Sequence, residues 1–291
     1  MNTEGVFSTV KSIIKDSICP IKKSQGVLAF SFIKLSIFAI ILFLSSFIMA
    51  KMVGGVGQLM SIFSQEDTDV LIGLLPSNAQ VLILVAYIVV SLLSMLLEVA
   101  FAYTMHFFKK GQEFSLVSGF VRAKEKFFQI MLWTFVLLAL ATIIDALSRI
   151  NPVFSLFGTF LSFGFGLAVY FLSPVLALEE GASLNLEFKK SAEAVASTWK
   201  EIVLVFLTFT LILLVIFGIA WIFVALLSVG LSLLLKAMSV GYVGIVIGTL
   251  VAIAAVASFV VIDFASMSLR LSLYELARGR EESIEKSENL N

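Results

Sequence analysis

Ionisable side chains embedded in long apolar stretches are the first candidates for chemistry. A charge out of water is costly and is kept beside a partner or a cavity. Lys34, Glu98 and Asp263 are of this kind, and the one histidine, His106, follows Glu98 by about two helical turns. A Lys34–Glu98 pair, with Asp263 or His106 nearby, would satisfy both charges. It would either lock helices together or form a proton or ion relay; alternatively Lys34 snorkels to the interface unpaired. Asp145 and Arg149, one turn apart, form a separate i,i+4 pair near the end of an apolar run.

Signals for catalysis are weak. Gly-x-Ser-x-Gly, His-Glu-x-x-His and Cys-x-x-Cys are all absent. Cys19 alone forms no internal disulfide, and one histidine builds no His/Cys metal cluster. Glu179 and Glu180 are adjacent, so on a helix they point about 100° apart and serve joint acid–base work poorly. No catalytic residue, metal site or cofactor is expected. Basic and acidic residues number 20 each, so no overall field draws nucleic acid.

The elements that position these residues follow from composition. Of 291 residues 60% are hydrophobic and 14% charged, against about 45–50% and about 25% in a soluble domain. An all-α integral membrane protein is expected. Six stretches are long and apolar enough to cross a bilayer: 27–50, 81–108, 130–147, 154–178, 202–227 and 242–262. They predict one membrane domain over 1–278, a bundle of six helices. An acidic, apolar-poor tail over 279–291 is expected to be disordered. Of the 20 basic residues, all but Lys34, Lys51, Arg149 and Lys236 fall at the termini or in the even-numbered connections. The positive-inside rule then predicts a multi-pass cell-membrane protein with both termini cytoplasmic.

Three cytoplasmic segments carry apolar residues at helical spacing with lysines and arginines interleaved: 6–18, 114–128 and 184–199. They are expected to be amphipathic helices, lying among anionic headgroups of the inner leaflet or packed on the ends of the bundle. Each precedes a pair of spans, as a threefold repeat would. Small residues form two stripes, Gly244, Gly248 and Ala252 in the sixth span and Gly158, Ser162 and Gly166 in the fourth. Such stripes let helix backbones approach, within one chain or between copies.

The fourth span ends Ser173-Pro174-Val175-Leu176-Ala177-Leu178-Glu179, and Glu187-Phe188-Lys189-Lys190-Ser191 and Thr198-Trp199 follow. With Pro174, Glu179, Ser191 and Trp199 in these places, the chain resembles a family of uncharacterised prokaryotic multi-span proteins. It is loosely similar to the membrane domains attached to glycerophosphodiester phosphodiesterases. The resemblance implies a six-span cell-membrane protein and lends no active site. Two functions are therefore carried forward. One is a non-enzymatic scaffold, complex subunit or inner-leaflet lipid organiser, with membrane lipids and a protein partner or second copy as its contacts. The other is a transporter or channel for a small solute or lipid that uses Glu98.

Overall fold

The computed structural model describes residues 8–17, 28–55, 57–58, 61, 75–113, 115–180, 183–235 and 241–288. The elements among them are α-helices: residues 8–17 (α1), Ala29–Met52 (α2), Ser77–Lys109 (α3), Leu116–Glu125 (α4), Phe127–Ser148 (α5), Pro152–Ala168 (α6), Leu172–Leu178 (α7), Leu184–Leu235 (α8) and Gly241–Glu288 (α9). Five stretches of the described residues are long and apolar enough to cross a membrane: Ala29–Met52, Ser77–Lys109, Phe127–Leu147, Phe154–Leu178 and Leu184–Ile212. The sixth expected span, 242–262, falls on α9. Most of its side chains, and the surroundings of Gly244, Gly248 and Ala252, lie outside the described residues.

Two expectations need correction. The fourth span is not one helix: it stops at Ala168 and restarts at Leu172. Pro174 is the physical cause. It has no N–H for the carbonyl of Tyr170, which its ring would also crowd; at the third position of a new helix neither matters. Second, α8 and α9 run on without interruption. They are 52 and 48 residues long, or about 78 and 72 Å. No bend separates a surface helix over 184–199 from the span that follows, and the acidic end is helical to Glu288 rather than disordered. Neither Gly nor Pro occurs over 184–217 or 249–278, so nothing stops propagation. Near its end α9 also gains an i,i+4 pair, Arg278 to Glu282 at 3.4 Å.

The chain divides into two compact units, Ser24–Ala192 and Met1–Lys23 with Glu193–Asn291. The first is organised on α3, which packs against α2, α4, α5 and α7. Leu97, Val99, Ala100, Phe101, Ala102 and Met105 bury the last turns of α3 on nearly every side, and the short α7 is buried from Leu172 to Ala177. Phe30 of α2 sets its ring edge-on to Phe101 at 5.7 Å and beside Phe120 at 5.9 Å. A smaller cluster of Met49, Ala50, Leu75 and Ala79 joins the far ends of α2 and α3. Large apolar side chains such as Phe43 and Leu84 are exposed between the two clusters, as hydrocarbon-facing surface requires.

In the other unit α1 and α9 meet through serines. Ser17 Oγ donates to the carbonyl of Ile13 at 2.7 Å and lies 3.1 Å from Ser272 Oγ, while Ser268 Oγ donates to the carbonyl of Ser17 at 3.0 Å. Val10 and Ile13 are buried, so the apolar face of α1 is covered by protein. Arg280 of α9 binds Glu201 and the carbonyl of Ser197, both on α8.

Two glycines shape the crossing of α3 and α4. Gly111, at φ +90°, closes α3: its N–H reaches the carbonyl of Phe108 and that of Gln112 the carbonyl of Phe107, both at 3.1 Å. The chain then turns into α4, where a Cβ on Gly119 would lie 2.3 Å from Thr104 Oγ1 and 2.4 Å from the carbonyl oxygen of Ala100. Gly166, from the expected small-residue stripe, has nothing within 4 Å of such an atom. Gly119→Ala is therefore expected to lower stability by about 1–3 kcal/mol, as overpacking does. Gly166→Ala is expected to leave the melting temperature in detergent unchanged or slightly raised.

Candidate functional site

Lys34 Nζ lies 3.2 Å from Glu98 Oε1, each side chain 19% exposed, and the pair ties α2 to α3. His106, further along α3, is buried with its ring edge-on to Phe107 at 5.3 Å. Asp263 belongs to the other unit, half-buried on α9. Asp145 and Arg149 meet at 3.0 Å in the open, where such pairs contribute little. In the stripe on α6, Gly158 is buried while Ser162 and Gly166 are exposed.

A denser group of polar side chains surrounds the break between α6 and α7. Interrupting a helix frees backbone groups that, once buried, need partners. The buried Ser191 hydroxyl accepts the N–H of Phe171 at 3.2 Å. At the other end of α7, Arg122 Nε donates to the carbonyl of Ala177 at 2.9 Å and Nη2 to that of Glu179 at 3.1 Å. A guanidinium there also answers the negative end of the helix dipole. Arg122 pairs with Glu125 at 3.3 Å. The Glu179 carboxylate takes Lys190 Nζ at 2.6 Å, which draws α8 back against the end of α7. Pro174 lies within α7, Glu179 caps its end, and Ser191 meets the chain just before its start. Trp199 does not join them: it is 54% exposed, with Lys200 Nζ 5.6 Å from its ring.

Beside this group lies a buried acid. Glu187, on the first turn of α8, is 2% exposed, and its Oε2 accepts the indole N–H of Trp133 at 2.6 Å. Trp133 stacks on Phe188 at 6.4 Å, and Phe188 on Phe165 at 5.8 Å. Lys126, between α4 and α5, is buried as well. Its burial pushes the ammonium below the ordinary lysine value, and the Arg122 charge adds to that, while Glu187, Glu180 and Glu125 pull it back up.

The residues missed in the sequence, Arg122, Lys126, Trp133 and Glu187, carry most of this arrangement. The signal lay in spacing. Among the described residues of α8 the buried ones begin with Glu187, Ser191, Ala194, Thr198 and Glu201, a mostly polar row at helical intervals, and continue with Ile202 and Val205, whereas Leu186, Trp199 and Val203 are exposed. The polar row points in, and the apolar residues of this segment are mostly half-buried, Phe188 lying between Trp133 and Phe165. Such an arrangement suits a helix whose surroundings are lipid, where polar groups find partners only inside the protein.

Chemically, the group is built to hold backbone and charge in fixed positions around a broken helix. Ser191→Ala would leave the Phe171 N–H buried without its acceptor. It is expected to cost about 1–3 kcal/mol, read as a lower melting temperature in detergent. Asp145→Asn, at an exposed pair, is expected to change stability by less than about 0.5 kcal/mol.

No protein-family model, curated protein or solved structure matches the chain, so its function rests on the geometry of its own residues.

Proposed function

We propose that the chain is a non-enzymatic protein of the cell membrane, crossing it six times with both termini in the cytoplasm. Its task is to scaffold a complex and organise anionic lipid at the inner leaflet. The observation that carries this reading is the outward face of α4. Val117 is 71% exposed, and Phe120 and Val121 are exposed beside it. The face continues into the exposed Phe127 and Phe128 at the foot of α5. Lys110 and Lys124 are exposed near it and Lys109 is partly so. Apolar side chains at the acyl boundary with ammonium groups at headgroup level are the arrangement by which an interfacial helix holds anionic lipid. Of the three segments with amphipathic sequences, α4 is the one that keeps this face uncovered. The face of α1 lies against protein, and α8 turns its polar row inward.

The ionisable groups support the scaffold side of the reading. Lys34 with Glu98, Glu179 with Lys190 and Glu201 with Arg280 each brace one helix against another. One observation favours the second reading, a transporter or channel: the break between α6 and α7, since interrupted helices form binding sites in transporters. Under that reading, proteoliposomes would show solute or lipid flux that Glu98→Gln abolishes.

Lipid selectivity tests the first reading. Purified from a mixed bilayer, the protein is expected to retain phosphatidylglycerol over phosphatidylcholine. Replacing Lys109, Lys110 and Lys124 by Gln is expected to remove most of that preference, at about 1 kcal/mol per basic residue near the surface. Equal retention of both lipids by the wild type, measured by mass spectrometry, would refute it.

A further inference from the structure

Glu187 differs from the other buried acid, Glu201, in what its oxygens meet. Glu201 is held by Arg280. On Glu187, Oε2 has the Trp133 N–H, but Oε1 is buried and no hydrogen-bond donor among the described residues reaches it. The walls beside it are aromatic: Trp133, itself 3% exposed, then Phe188 and Phe165 in a stack.

Charges from every side have other commitments. Arg122 of α4 is taken by the carbonyls of Ala177 and Glu179 and by Glu125. Lys190 of α8 is taken by Glu179. Glu180, after α7, adds negative charge near Lys126. α6 contributes the Phe165 ring. Lys126 is the cation that acts on Glu187 across space. A bare carboxylate oxygen in such surroundings is costly, whereas a neutral carboxyl group with one good hydrogen bond is tolerated.

We propose that Glu187 is a proton-binding site, carried as the neutral acid with its proton on Oε1 and its other oxygen fixed by Trp133. On release the O–H bond breaks, the proton passes to water, and a carboxylate remains that Lys126 answers as counter-charge. The ligand is the proton itself. The site lies where the first turn of α8 rests on α5, so ionisation loosens that contact and protonation restores it.

The sign is fixed by this state. An acid kept neutral in the folded protein stabilises it at low pH, and the contribution fades as pH rises beyond the ordinary carboxylate range. The test is thermal unfolding of the full chain in detergent across that range. Glu187→Gln keeps the acceptor for Trp133 and mimics the neutral acid. It is expected to melt within about 2 °C of wild type near pH 6 and above it in alkaline buffer, so the difference between the two grows with pH. A Glu187→Gln protein that melts well below wild type near pH 6 and recovers with Lys126→Met would show a charged pair and overturn the proposal. So would a difference that does not change with pH. Should Glu187→Gln fail to fold, Lys126→Met decides: unchanged or higher melting supports the neutral acid, and a fall refutes it.

Discussion

Backbone left without helical partners at the two ends of α7 is the constraint around which the unit of Ser24–Ala192 closes. Pro174 forces the interruption, and burial makes it expensive unless each freed group is met. Ser191 meets one N–H and Arg122 two carbonyls. These come from helices far apart in sequence, so satisfying the two ends of one short helix fixes α4, α7 and the start of α8 together. Glu179 with Lys190 then holds the connection on the same spot. The polar network here is the condition for a broken helix to be buried at all, in a setting where water is not at hand to substitute.

Lipid reverses the usual logic of an amphipathic helix, and that reversal separates what could be read in the sequence from what could not. Lys34 and Glu98 were legible because each is a lone charge within an apolar run. Asp145 and Arg149 followed from spacing alone. The row Glu187, Ser191, Thr198 and Glu201 has equally regular spacing, but in a segment rich in lysine it reads as a solvated face. Its burial depends on Trp133, Arg280 and the break near Phe171, none of them local to it. Pro174 was visible, yet an apolar run of span length hides an interruption, because hydropathy averages over it. Gly119 stands in a connection, where glycine ordinarily signals a turn; its contact with Ala100 becomes apparent only once α3 and α4 cross.

Exposure along the chain is likewise informative by its chemistry. The apolar surface of α2, α3 and α6 between their ends is what a hydrocarbon environment accepts, and it calls for no partner. The apolar face of α4 has a different setting, with lysines near it and a tightly packed glycine at its back. A helix held that closely through Gly119 has little freedom to tilt, so its outer residues are presented in a set direction.

The length of α9 carries a mechanical consequence. At about 72 Å it exceeds the roughly 30 Å of a bilayer's oily interior more than twofold. A helix of that length that crossed such a layer would leave more than half of itself outside the acyl chains, and the buried stretch around Leu271, Leu273, Tyr274 and Ala277 gives its second half a footing in protein. Anything that gripped the far end of a helix so placed would be held at a constant stand-off from the lipid, as by a ruler.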